Sequence, residues 1–356
     1  MSIRRITFRR LDLPLVKPYR LSYRTFRNFE PYLIEVEDDA GRIATGDAHI
    51  SPGSSAETRE GGLAYLQDRL PQLVGLDLAE AKALMLRDFT QSKVATTAVV
   101  TALEQLEGLA LLRPAAPASL PLLMPVGSTD QAAIEAEVED LVARGFATLK
   151  IKVGKDVAAD ITRMGWIQKA VAGRARLRVD ANRAYDRAQA IEFVRGIDPE
   201  GVVLFEQPCE ADLWDDNAAV AQASDIPLML DEPICTDDDI DRAAGIKGVG
   251  FCKLKLKRFG GAERLHSGIR RVQDSGMQAV LGDGLGSDLH AWLEGCVAAD
   301  CLDNAGEFNG YLKLEQGILA DPLPCVDGSM QLPAGPAPAI DRARLDATTT
   351  LTFTYQ

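Results

Sequence analysis

The sequence predicts an α/β protein: a modified TIM barrel, (β/α)7β, with an N-terminal α+β capping domain that the C-terminal tail completes. Three observations point there. From residue 122 onward, short apolar runs alternate with amphipathic helical stretches, the pattern of parallel strands covered on both faces. Polar or charged residues close one such run after another. The first third has a different grain, with alternating strands first and helices after them.

Taken in order, alternation at 6–13, 32–37 and 43–50, the last two joined across Asp39-Ala40-Gly41, predicts a three-stranded antiparallel sheet. Helical periodicity follows at 56–73, 78–87 and 96–112. Prolines in RPAAPASLP end any helix there, so 1–113 is set as the capping domain. The barrel is set at 122–320, with strands at 122–126, 148–153, 176–180, 202–206, 228–231, 251–256 and 278–282 and a weak eighth at 305–308. Eight strands favour a closed barrel over an open sheet. Residues 321–356 form a returning segment, rich in Pro and Ala from Leu332 and ending in the alternating TLTFTY, expected as an edge element of the cap.

Composition narrows the function classes. Lys and Arg number 39 against 52 Asp and Glu, a net charge of −13 with no basic cluster, which argues against nucleic acid or an anionic membrane as partner. The opening MSIRRITFRRLDLPL carries charge without an apolar run, and no stretch approaches a membrane span. A cytoplasmic protein is expected. The six cysteines lie in the second half without a Cys-X-X-Cys pair and read as reduced thiols. Three scattered histidines make a histidine-based metal site a poor expectation.

The chemistry is carried by Lys152, Asp180, Glu206, Asp231 and Lys255, which follow one another at intervals of 28, 26, 25 and 24 residues. One βα repeat separates each from the next, so a parallel barrel brings all five to its C-terminal mouth. A single acid after a strand is as well explained as a helix N-cap. Five charged residues in register are not. Asp180, Glu206 and Asp231, with no His or Cys nearby, make an all-oxygen site for a hard divalent ion, Mg²⁺ with Mn²⁺ as a substitute. Removing the proton next to a carboxylate places a second negative charge on that small group, and a fixed cation stabilises it. Lys150 and Lys152 alternate by two and share a face, where like charges are expected to lower a lysine pKa toward that of a general base. Lys253, Lys255 and Lys257 repeat the spacing on the sixth strand, where at most one is expected to reach the mouth and the others to be rim charges.

LKIKVGK, VDANRAY, FEQP, LDEP and KLKLKRFGG stand in the order and spacing of the mandelate racemase and muconate lactonizing branch of the enolase superfamily, which the sequence resembles from about residue 3 to 345. The strand-two Lys-X-Lys with a lysine on strand six is similar to the muconate lactonizing (cycloisomerase) subgroup. LGDGLGSD after strand seven lacks the histidine of the mandelate racemase type. The resemblance implies Lys152 and Lys255 as opposing acid/base groups, Lys150 as the pKa partner of Lys152, and Asp180, Glu206 and Asp231 as metal ligands. It further implies Asn182 and Glu232 as residues that orient the ligands and Lys255, a small-molecule carboxylate substrate, and a homo-oligomer. Glu307 in GEFNGYL matches a glutamate that ends strand eight in muconate-cycloisomerase-like sequences, and Asp47 stands where relatives carry glutamate. Asp283 and Glu307 together are expected to form an acidic wall for a cationic group of the substrate. Tyr19, Tyr23 and Arg24 of the cap, with the loop 51–54, are the candidates for contacts from a lid. The expected reaction is racemisation or epimerisation of an amino-acid derivative, with cycloisomerisation or dehydration of a hydroxy acid as alternatives. A Schiff-base aldolase would leave three aligned carboxylates without a role, and an inactive binding or structural homologue would leave all five central residues without one.

Overall fold

In the capping sheet, side chains at Ile3, Ile6, Phe8 and Leu11 are buried while the intervening positions are exposed or half-buried, as in a strand with one face on a core. A computed structural model describes residues 1–20, 25–52, 56–282 and 284–356. Ile3–Leu11, Tyr32–Asp38 and Ile43–Ala48 pair antiparallel, and the tail strand Thr349–Tyr355 adds to the free edge of Ile3–Leu11. Phe353 of the tail stacks on Phe8 with centroids 4.5 Å apart. Helices Arg59–Leu73, Leu78–Arg87 and Lys93–Glu107 supply the other half of this core. Gly46 lets its strand lie against the last of them, since a Cβ there would stand 2.0 Å from the Ala98 carbonyl oxygen.

A second antiparallel pair, Leu13–Arg20 with Thr25–Phe29, has no counterpart in the expected element list. The segment 113–121, expected as linker, contributes Ala118–Pro121 to a three-stranded sheet with Ser329–Leu332 and Cys325–Val326.

Seven parallel strands follow in chain order around the barrel: Leu123–Val126, Thr148–Lys152, Arg176–Asp180, Val202–Glu206, Leu228–Leu230, Val249–Leu254 and Gln278–Leu281. The weak eighth strand is reduced to a single bridge, between Leu122 and Gly306. That segment still joins the two edges, because Leu123 N donates to Gly306 O at 3.0 Å and Glu307 N donates to Leu281 O at 2.9 Å. Helices cover the outside of the strands. Inside, Leu204, Met229, Phe251 and Val280 form a small apolar plug, so the charged residues one pleat further along the same strands face the C-terminal mouth. Among the described residues, no helix is long and apolar enough to cross a membrane.

Candidate active site

Parallel register sets the first row of the site. Lys152 is the strand partner of Asp180, and Asp180 that of Glu206, so three charged side chains stand abreast on one face. Asp231 follows Leu228–Leu230 directly, and its backbone N–H donates to Gln207 Oε1 at 2.9 Å. Lys255 follows Val249–Leu254 and opens the short helix Leu256–Phe259. Lys150, Lys152, Asp180, Asn182, Glu206, Asp231, Glu232, Lys255 and Glu307 line one pocket, with Tyr19 at its cap side.

Each acid holds cations. Lys152 Nζ lies 2.6 Å from Asp180 Oδ2 and donates to Asn182 Oδ1 at 2.5 Å, while Asn182 N donates to Asp180 Oδ1 at 2.8 Å. Asn182 thereby fixes Lys152 and Asp180 together, and it reaches this position with a left-handed φ of 45°. Across the row, Lys255 Nζ lies 2.9 Å from Asp231 Oδ2, and Arg258 Nη1 donates to Asp231 Oδ1 at 2.9 Å. Burial pushes the Asp180 carboxyl up, but Lys150 and Lys152 outweigh it and hold its pKa at about 2. Asp231 is likewise buried, and Lys255 with Arg258 keeps it well below the usual carboxylate range. Glu206 is raised, first by burial and then by the charge of Asp180. Burial and neighbouring Asp231 push Glu232 up to about 7; its Oε1 faces Arg183 Nε at 3.4 Å.

Several expectations change. Lys150 and Lys152 do meet, at one carboxylate oxygen, Asp180 Oδ2, 2.9 and 2.6 Å away, but Lys150 Nζ also meets Glu206 and Glu307 at 2.8 Å. Burial opposes its charge, but these three acids outweigh burial and raise its pKa well above the ordinary lysine value. Glu307 does not present an open acidic wall, because both Lys150 and Lys253 are bound to it. Two lysines of the sixth strand, not one, reach the pocket, since Lys253 lines it beneath Lys255. Lys257 is buried and faces a neighbouring cavity between cap and barrel, of about 570 Å³, bounded also by Lys93, Arg183 and Arg258. Tyr19 lies beside Lys313, whose Nζ is 5.0 Å from the ring centroid. Arg24, Tyr23, Asp283 and part of the loop 51–54 lie outside the described residues. Asp47 is not in the pocket; it is buried where the cap meets the barrel, accepting from Ser287 N at 3.0 Å.

Among the described residues, no three His, Cys, Asp or Glu side chains are grouped as a ligand set, because ammonium groups stand between the acids. The ammonium of Lys150 is itself a cation shared by Asp180 and Glu206, and every donor atom of the three buried acids is a hard oxygen. This donor set fits a divalent ion.

Residues 133–337 match the family described as enolase C-terminal domain-like. The L-Ala-D/L-Glu epimerase of Bacillus subtilis is 28% identical over 79% of this chain and 81% of its own. Muconate cycloisomerase 1 of Rhodococcus opacus is 26% identical over 96% of each chain. A dipeptide epimerase from Methylococcus capsulatus, solved with Mg and the dipeptide L-Arg-D-Lys, superposes with a TM-score of 0.83 at 25% identity, covering 95% of this chain and 99% of that one.

Proposed function

Because the chain is an isomerase of the enolase superfamily, in its mandelate racemase and muconate lactonizing enzyme family, we propose that it removes the proton α to a substrate carboxylate and returns one to the opposite face, racemising or epimerising an amino-acid derivative. The observation that carries this reading is the placement of two lysines at the two ends of one row of acids. Lys152 stands on Asp180 and Lys255 on Asp231, and the three strands that carry Asp180, Glu206 and Asp231 at their ends lie between the strands of the two lysines.

Asp180, Glu206 and Asp231 would hold Mg²⁺, which supplies Lewis-acid polarisation of the substrate carboxylate when bound. Lys152 takes the proton from one face at its Nζ, and Lys255 delivers one to the other; toward the mirror-image substrate the roles exchange. Asn182 keeps the Lys152 ammonium aimed along the row, and Arg258 does the same for the Asp231 carboxylate. Dipeptide epimerases among the relatives support an amino-acid derivative as the substrate class. The muconate cycloisomerases among them support a second reading, in which one lysine moves the proton and the other only offsets charge during ring closure.

The test is a screen of carboxylic acids, weighted to N-substituted amino acids, for deuterium taken up from D₂O at the α-carbon. Uptake that stops on exhaustive chelation and returns with Mg²⁺ is the expected result. Uptake that survives chelation, or none across the library, would count against the reading.

A further inference from the structure

Lys253 has no part in the reaction above, yet it is among the largest fully buried side chains of the protein. Its Nζ lies 3.0 Å from Glu206 Oε1 and is also bound to Glu307. Glu307 in turn holds Lys150 at 2.8 Å, and Lys150 holds the other oxygen of Glu206 at 2.8 Å. The four side chains thus close a ring of alternating charge. They come from the second, fourth and sixth strands and the closing segment, the alternate-strand layer that fills the interior of such barrels with apolar groups in the ordinary case. Here, next to the Leu204, Met229, Phe251 and Val280 plug, the layer is ionic, and the four side chains of the ring are neutral in sum, with Asp180 on Lys150 outside it. Its fourth corner is anchored through the backbone, since Glu307 N donates to Leu281 O.

We propose that Lys253 is a positioning residue that, paired with Glu307, balances the charge of this layer and holds Glu206 and Lys150 in place beneath the reacting centre. Buried charges of this kind are tolerated only when each has its partners, and removing one leaves the others uncompensated. Without Lys253 the layer carries one excess negative charge on the acid that serves as the central ligand; without Glu307 it carries one excess positive charge there. The two neutralised together leave Lys150 facing Glu206 in a balanced layer. A lysine that merely fills space would not behave in this signed way, and one that touched substrate would alter KM without regard to Glu307.

The experiment compares wild type, Lys253→Met, Glu307→Gln and the double variant by Mn²⁺ titration and by melting of the metal-free proteins. Lys253→Met should tighten Mn²⁺ binding and Glu307→Gln weaken it, each by about tenfold or more, the order expected of one unit charge a few Å away in a protein interior. The double variant should return near the wild-type Kd and melt above both single variants. Shifts of the same sign in both single variants, or a double variant melting below either, would overturn the proposal. It rests on the proposed metal site only in the Mn²⁺ arm: a wild-type protein that binds no Mn²⁺ defeats the metal reading, and the metal-free melts then decide the ring. Should Lys253→Met not fold, recovery of folding in the double variant supports the ring, and failure of the double variant while Glu307→Gln folds refutes it.

Discussion

Two buried clusters of charge in this protein behave in opposite ways. At the barrel mouth every acid of the row meets a lysine or arginine, and Asp180 stays ionised, its pKa held at about 2 despite complete burial. Where the cap meets the barrel, Asp47 is equally buried, with a hydrogen bond from Ser287 N and the His290 ring 3.9 Å away, and among the described residues no lysine or arginine is paired with it. Burial there pushes its pKa up to about 7. The joint is tight as well, since a Cβ at Gly286 would lie 2.9 Å from the Asp47 carboxylate and from His290. Cations can outweigh burial, as at Asp180 and Asp231, but they do not at Glu206, where burial and the neighbouring Asp180 charge win over two lysines. The mouth surrounds its acids with cations, while the joint keeps a protonatable acid inside a packed seam.

The largest expected effect breaks the paired cluster. Glu206→Gln preserves shape and removes one charge of the proposed ligand set, and turnover should fall by at least about 10² to 10³-fold, with far-UV circular dichroism unchanged. Next, Lys152→Ala and Lys255→Ala should each lower kcat by roughly 10² to 10⁴-fold, the range of general acid/base catalysis. Equal losses in the two would mark the symmetric use of both ends of the row.

The joint gives a smaller effect of the opposite character. Asp47 ionises near 3.8 in the unfolded chain and near 7 in the folded one, so between these values the unfolded chain binds fewer protons. Stability from this group therefore falls as pH rises through that window and stays low above it. Asp47→Asn should gain on wild type between pH 5 and pH 8 by on the order of 2 to 4 kcal/mol in chemical denaturation, and a pH-independent difference would contradict the assignment. Smallest of all, Phe353→Ala removes the ring stacked on Phe8 at the half-exposed edge of the cap. It should cost about 1 to 2 kcal/mol and leave kcat unchanged.

Much of this was legible in the sequence because the barrel repeats itself. One βα unit between each of Lys152, Asp180, Glu206, Asp231 and Lys255 places them at a common mouth from spacing alone, and TLTFTY is readable as an edge strand of the cap. The hairpin Leu13–Arg20 with Thr25–Phe29 was not, because Pro14 and Pro18 lack the N–H that a strand pattern leads one to expect, and its register shifts between Pro14 and Tyr19. Residues 305–308 gave only a weak strand signal, and a single bridge is what they form. Lys253 could have been found from its spacing to Lys255, which puts both on one face. Its partners could not, since Glu307 reaches it only once the barrel closes. The same holds for Lys150, expected only as the partner of Lys152 and raised well above the ordinary lysine value by three acids that the folded barrel brings to it. Gln207 and Arg258, which steady Asp231, lie next to the quoted motifs, but nothing in their spacing points inward.

The most direct test of the central claim is α-proton exchange by the two single lysine variants, measured separately on each enantiomer of the best N-substituted amino acid in D₂O. Two-sided chemistry requires that Lys255→Ala exchange only the enantiomer facing Lys152, that Lys152→Ala exchange only the other, and that neither interconvert them. Exchange by one variant alone, on one enantiomer alone, would contradict racemisation and assign the row of acids to one-sided proton removal, as in ring closure or elimination.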